Sequence, residues 1–290
     1  MYVFTLPKGK GQFKAGTSYL LSDLNNFNIE QIAQSGQAFR FRKKDTGAYA
    51  VVAYDQYCEI KQLTDVNVEL FCDPESLEMW LAYFDIKDYV GDVNVYAQVA
   101  QSILNSSDDV LKETLKDSGG IRILNQELLE TGVAFITSSA NNIPRITQLI
   151  DTLCMKYGED RTFSGESYKT FPSAQVLIKL TEEDWRQMGF GFRAPYLVDF
   201  VRHYSQWGVD FVPTKKDLKA VKGIGDKVAD CISLFSLHDL DRVPMDTWMK
   251  KFKDNLYGGT FPWDDFKPYR GICQQYMYHY YRTVKEEDNK

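Results

Sequence analysis

Residues 213–246 read PTKKDLKAVKGIGDKVADCISLFSLHDLDRVPMD, and the way this stretch breaks and restarts decides how the C-terminal part of the chain folds. Thr214 and Asp217 can cap a short helix that carries Leu218 and Val221 on its inner side. Lys222-Gly223-Ile224-Gly225 breaks it. Asp226 then starts a second helix through Val228, Ala229, Ile232 and Phe235. Two helices joined by a Gly-x-Gly turn present bare backbone N–H groups beside a helix N-terminus, a good seat for a phosphate oxygen. A side chain at either glycine would hold the phosphate away. Lys215, Lys216, Lys219 and Lys222 add positive charge to the neighbourhood. Glycine also ends helices for structural reasons alone, so the turn by itself is a weak signal.

The residues around the turn strengthen it. Lys227 stands at the start of the second helix, and Cys231, four residues on, shares its face. Asp246 follows Val243-Pro244-Met245, an apolar approach suited to delivering a carboxylate into a partly buried site. The ordinary reading of a lysine is a solvated surface cation. An amine, a thiol and a carboxylate at these positions also fit a chemical task.

Working outward, the region from Tyr2 to about Phe71 favours strands. Ala38–Arg42 alternates, Lys43–Gly47 supplies turn chemistry, and Ala48–Tyr54 and Tyr57–Leu63 are rich in Val, Tyr and Ile, with Asp55-Gln56 as a tight connection. Asp73 and Pro74 open a helix with Leu77, Trp80, Leu81 and Phe84 as its stripe. After about Val95 the period is helical: Ala97–Leu104, Asp109–Leu115, Gln126–Ile136, Ile146–Tyr157, Ala174–Leu180 and Glu182–Met188, with Thr181 and Asp184 as a capping pair. The expectation is an α+β chain, with a small antiparallel sheet domain and covering helix over residues 1–95. A larger helical domain over 96–290 holds the two-helix turn at about 214–237. Glu286–Lys290 reads as a solvated tail.

Composition bounds the function only loosely. The chain has 290 residues, 44% hydrophobic and 26% charged, which is ordinary for a globular protein. No apolar run approaches the ~20 residues that span a bilayer, and Met1–Lys10 lacks the order of a signal peptide. A cytoplasmic protein with no membrane partner is expected. The net charge of −6 argues weakly against nucleic acid, yet only a contacting face must be positive. Five scattered cysteines without CxxC spacing suit neither a disulfide framework nor a metal site, so no metal is expected.

Gly223–Cys231 followed by Val243–Asp246 resembles the helix-hairpin-helix signature of the 8-oxoguanine DNA glycosylases, and the lysine-to-aspartate spacing matches the eukaryotic enzyme. The resemblance runs from about Ser35 to Arg282. It takes in Gly36-Gln37-Ala38-Phe39-Arg40, residues 135–145 (FITSSANNIPR), Phe171-Pro172-Ser173, residues 189–196 (GFGFRAPY) and Pro268–Gln274. It implies a base-excision-repair enzyme that flips 8-oxoguanine out of duplex DNA. Lys227 would attack the sugar and Asp246 would stabilise the cationic sugar, with no cofactor required. Burial and nearby positive charge would favour the neutral amine. Gly36 would accept from N7–H of the lesion, Gln274 would read its Watson–Crick edge, and Cys231 and Tyr278 would sandwich it. A Cys231 thiolate beside a Lys227 ammonium would make a local dipole. Gly223, Gly225, Val228, Asn141, Arg145, Phe192, Arg193 and Trp248 would contact DNA. The implied location is the bacterial nucleoid, and a monomer is the default.

Three positions depart from the eukaryotic pattern. Ala140 stands in place of an asparagine that contacts the orphaned cytosine, Phe192 in place of a tyrosine wedge, and Trp248 in place of a histidine near a phosphate. Fewer groups able to hydrogen-bond the opposite base imply a weaker preference for cytosine. Two alternatives stand beside this. One is another helix-hairpin-helix glycosylase: the alkylated-base class generally lacks the lysine, and the thymine-glycol and adenine-mismatch classes usually carry a four-cysteine iron–sulfur loop. The other is a non-catalytic DNA-binding module.

Overall fold

Period-two alternation builds the first layer. In the computed structural model, which describes residues 2–5, 16–86, 94–208 and 210–287, six strands form one antiparallel sheet. They are β1 (Tyr2–Thr5), β2 (Thr17–Ser22), β3 (Phe41–Lys43), β4 (Tyr49–Ala53), β5 (Gln56–Thr64) and β6 (Asn67–Cys72), in the order β1-β2-β6-β5-β4-β3. β2, β4 and β6 alternate buried and half-buried residues, so Leu21, Val51, Val68 and Leu70 face one core. That core is closed by α1 (Ile29–Gln34) through Ile29 and Ile32 and by α2 (Leu77–Tyr83) through Trp80. Asp73 caps the short 3-10 turn leading into α2, with Pro74 at its first position.

Two details differ from expectation. The β4–β5 turn is Tyr54-Asp55, both at positive φ, because Gln56 already pairs with Ala53. The alternation from Ala38 makes a strand only from Phe41, since the Gln37 carbonyl is taken by the Gln126 side chain.

The remaining elements are mainly helical: α3 (Val95–Asn105), α4 (Asp109–Ser118), α5 (Leu128–Thr137), α6 (Ile143–Tyr157), α7 (Ala174–Leu177), α8 (Glu182–Gln187), α9 (Ala194–Gln206), α10 (Lys215–Ala220), α11 (Asp226–Phe235), α12 (Thr247–Tyr257) and α13 (Arg270–Glu287). α5 is central, with eight of its ten residues buried. It packs on α9 and α11 in a second apolar core. The hairpin β7 (Asp160–Phe163) and β8 (Glu166–Lys169) interrupts the helices between Tyr157 and Ala174, where the sequence pattern marks neither helix nor strand. Its strands are four residues each and largely exposed, so they leave no alternation to read. α13 continues through Glu286 and Glu287, which were expected to belong to a tail; residues 288–290 and most of Met1–Lys10 lie outside the described residues.

Buried polar groups join the two cores. Gln37, fully buried, donates to Ser35 Oγ and to the Arg122 carbonyl, both at 2.9 Å, and accepts from the Leu124 N–H at 2.8 Å. Arg122, 1% exposed, donates to the carbonyls of Asn25, Asn26 and Asp85 at 2.6–3.1 Å, with its guanidinium 4.8 Å from the Tyr96 ring centre. Arg122→Met fills much of the same space but strands those carbonyls, so it should cost roughly 3–5 kcal/mol. Urea unfolding with an unchanged slope and a lower midpoint is the expected result. A loss below about 1 kcal/mol would show that the carbonyls find other partners.

Candidate active site

The hairpin forms as its local signals require. Thr214 accepts from the Asp217 N–H and Asp217 accepts from the Thr214 N–H, a reciprocal cap that starts α10. Leu218 and Val221 are buried beneath it. Gly223 has φ +86, and a Cβ there would lie 2.3 Å from the Tyr196 ring, so both the turn and its close packing require glycine. Gly225 is the N-cap of α11 and supplies no capping side chain. The N–H groups of Asp226, Lys227 and Val228 therefore head the helix without an intrahelical partner. Val228 itself is buried, so only its backbone can serve a ligand. The expected lysine field is partly cancelled: Lys215 pairs with Asp230 at 2.7 Å and Asp226 at 3.4 Å, and Lys219 pairs with Asp226 at 2.9 Å. Lys216 and Lys222 are exposed.

From the head of α11 the Lys227 side chain turns into a cavity of about 680 Å³ that also gathers Gly36, Asn141, Cys231, Asp246, Trp248 and Gln274. Tyr278 and Arg282 line it as well. Arg282 donates to the Gln34 carbonyl and lies 5.3 Å from the Tyr278 ring centre. The volume is in the range of small-molecule sites. Lining cations (Lys227, Lys250, Arg282) outnumber the one lining carboxylate, Asp246, which makes this face locally positive on an acidic chain.

Each predicted residue has a defined setting. Lys227 Nζ donates to Ser138 Oγ at 3.0 Å and sits 5.3 Å from the Phe135 ring centre. The Ser138 hydroxyl in turn donates to the Phe135 carbonyl at 2.7 Å. Asp246 caps α12, accepting from the Met249 N–H at 2.9 Å, which fixes the direction of its carboxylate. Gly36 has φ +75, and a Cβ there would press on Ile143 at 3.1 Å and Tyr278 at 3.4 Å. Gln274 is 1% exposed; it donates to the Pro244 carbonyl at 3.2 Å and accepts from Gln275 Nε2 at 2.9 Å. Burial pushes the Cys231 thiol up to about 11, with Lys227 pulling the other way. The expected thiolate is thus replaced by a neutral thiol at physiological pH.

The rim residues divide. Asn141 donates to the Thr137 carbonyl at 3.0 Å and accepts from the Asn142 N–H. Phe192 is 55% exposed with the Arg193 guanidinium 4.3 Å from its ring centre. Arg193 itself is buried, donating to the carbonyls of Ser139, Ala140 and Phe190. Ala140 has φ +48, a conformation asparagine tolerates better than alanine. Arg145 is exposed and bonds Gln148 at 3.1 Å. Trp248 lies in the first turn of α12 beneath Lys251, 5.0 Å from its ring centre. Arg145, Phe192, Arg193 and the Gly223–Gly225 turn stand outside the cavity lining. Sequence reasoning missed Ser138, Gln275, Arg282 and Lys250. The first lies in the quoted stretch 135–145, where only its contact with a residue 89 positions away reveals it.

Sheet, helical layer, glycine-capped hairpin and lysine-bearing cavity together define a glycosylase-type helix-hairpin-helix protein. Comparison with known proteins points in the same direction. The profile described as 8-oxoguanine DNA glycosylase, N-terminal domain, matches residues 19–131. The N-glycosylase/DNA lyase of Arabidopsis thaliana is 28% identical over 243 residues, 76% of this chain and 64% of that protein. That of Saccharomyces cerevisiae is 35% identical over 158 residues, 48% of this chain and 42% of that protein. The matched stretch thus spans less than two thirds of either relative. The crystal structure of Clostridium acetobutylicum 8-oxoguanine glycosylase/lyase in complex with double-stranded DNA containing cytosine opposite 8-oxoguanine superposes with a TM-score of 0.83. Its identity is 28%, covering 100% of this chain and 99% of that one. Residues 19–131 thus match the N-terminal domain of the 8-oxoguanine DNA glycosylases, and the chain along its whole length is similar in structure to an 8-oxoguanine glycosylase/lyase.

The Cys231 setting can be checked directly. With its thiol up at about 11, Cys231 should resist iodoacetamide at pH 7.5 and gain reactivity by about tenfold per pH unit above that. Stoichiometric alkylation of Cys231 at pH 7.5, read by peptide mass mapping, would restore the thiolate.

Proposed function

We propose that the protein is a bifunctional DNA glycosylase and abasic-site lyase of base excision repair that removes 8-oxoguanine from duplex DNA. One observation carries this: the Lys227 amine, at the head of a helix whose N-cap is glycine, enters the same cavity as Asp246, Gly36, Gln274 and Tyr278. The names of the relatives, and the DNA held by the clostridial structure, support the same substrate.

The chemistry follows from these groups. The N–H groups at the head of α11, with Gly223 and Gly225 beside them, grip a backbone phosphate and give position without sequence preference. The target nucleotide leaves the stack at a cost of a few kcal/mol and enters the cavity. The Lys227 nitrogen, once free of its proton, forms a bond to C1′ as the bond from C1′ to the base breaks and the base takes up a proton. Asp246 stabilises the positive charge on the sugar and helps move protons. The C1′–O4′ bond then breaks, O4′ taking up the proton that the nitrogen sheds, and the ring-opened iminium left on Lys227 acidifies C2′. Loss of a proton there expels the 3′ phosphate and nicks the strand.

The Gly36 carbonyl accepts from the N7–H that distinguishes the lesion from guanine. Gln274 reads the opposite edge of the base, and Cys231 and Tyr278 flank its faces. Phe192 fills the gap left in the duplex. Asn141, Arg145 and Arg193 face the other strand, and Trp248 lies near a phosphate; Arg193 must exchange carbonyl bonds to do so. The protein acts as a monomer on double-stranded DNA, in the bacterial nucleoid. The sheet part before about residue 95 supports the glycosylase part after it.

A labelled duplex carrying one 8-oxoguanine tests this on a denaturing gel. Wild type should nick it, and Lys227→Gln should lose nicking by roughly a thousandfold or more while still binding the duplex. Duplex binding unchanged with no nicking by wild type would favour the non-catalytic module. Asp246→Asn keeps a side chain able to cap α12, so it should fold normally yet lose on the order of a hundredfold in base release. With each base in turn opposite the lesion, cytosine should be favoured, though less than by enzymes with asparagine at the Ala140 position. An absolute demand for cytosine would contradict the role given to that position.

A further inference from the structure

A second cavity, of about 670 Å³, lies at the far end of α11 from Lys227. At about 1.5 Å per residue, roughly 14 Å of helix axis separates Lys227 from Ser236 on its wall. Eight large apolar side chains are exposed among the described residues, and four of them (Tyr54, Ile178, Phe211 and Val212) line this one cavity. Apolar exposure concentrated this way marks an interaction surface. The aromatic wall continues through Trp207, stacked on Phe211 with ring centres 5.6 Å apart.

Within this apolar wall stands one carboxylate. Glu127, at the N-cap of α5, makes no cap bond with its side chain and no ion pair among the described residues. Burial pushes its carboxyl up to about 7, Glu130 on the same helix and Asp55 of the β4–β5 turn push the same way, and Arg40 pulls it down. Arg40 is already bound to Glu130 at 3.3 Å. Tyr54 and Tyr204 are the other titratable groups that feel this charge. A half-buried carboxylate in a cavity whose wall includes Tyr54, Tyr204, Trp207 and Phe211 calls for a cation that is weakly hydrated and can lie on a ring, which is the chemistry of a guanidinium.

We propose that this cavity is a docking site for a protein segment that presents an arginine between apolar side chains, the guanidinium on Glu127 and the flanking groups on Tyr54, Ile178, Phe211 and Val212. A nucleic acid does not fit, because a phosphate would meet the carboxylate. The site is distinct from the cavity of Lys227, so a partner held here leaves the phosphate-gripping hairpin free.

The probe is a capped leucine–arginine–phenylalanine tripeptide, with a counterpart carrying neutral citrulline in place of arginine. Binding to the full chain is followed by NMR titration at pH 6 and pH 8. The arginine peptide should bind about tenfold more tightly than the citrulline peptide at pH 8. That margin should shrink at pH 6, where Glu127 is mostly protonated, and vanish in Glu127→Gln. Val212→Ser, at a position exposed in the free chain, should weaken both peptides and leave the fold intact. Equal affinity for the two peptides at pH 8, or binding of neither at millimolar concentration, would overturn the proposal. So would a concentration-dependent dimer that Val212→Ser dissolves, since a second copy would then be the occupant.

Discussion

The site depends on where two buried helices meet. α5 ends at Ser138 just where α11 begins, and the 3.0 Å bond from Lys227 Nζ to Ser138 Oγ ties the two ends together. A lysine at the head of a surface helix would sweep freely through solvent. Here the amine is set against Phe135 and a serine whose own proton is committed to a carbonyl. Because eight of ten residues of α5 are buried, its end cannot drift. The amine therefore inherits the rigidity of the core, which is what positioned chemistry requires.

The same economy appears at the cavity rim. Arg193 and Asn141 both spend their donors on backbone carbonyls of the segment that carries Ser138. Engaging a second strand means exchanging these bonds for others rather than satisfying empty ones, so such contacts add discrimination more than raw affinity. On the proposed reading, affinity would rest on the unpartnered N–H groups at the head of α11 and on the cations of the cavity, which would let a chain of net charge −6 face a polyanion.

What was legible in the sequence was local. Both capping pairs, Thr181 with Asp184 and Thr214 with Asp217, form as reciprocal caps, because each is settled within one turn of helix. The hairpin and the apolar approach to Asp246 were readable for the same reason. Contacts across the chain were not. Gln37 meets Arg122 over 85 positions and Lys227 meets Ser138 over 89, and neither pairing leaves a periodic trace. The neutralised lysines of the hairpin show a subtler failure: composition placed the charges correctly, but Asp226 and Asp230 lie one helical turn apart on the side that Lys215 and Lys219 reach. Cys231, singled out because it shares a helix face with Lys227, lines the same cavity as that lysine, and burial keeps it a thiol rather than a thiolate.

The most direct test is to find the atom that becomes covalently bound. Borohydride added during turnover of an 8-oxoguanine duplex should reduce the imine to a stable amine, and proteolysis with mass mapping should then place the sugar remnant on the Lys227 side chain. A remnant on another lysine or on the N-terminal amine, or base release with no adduct at all, would contradict the account.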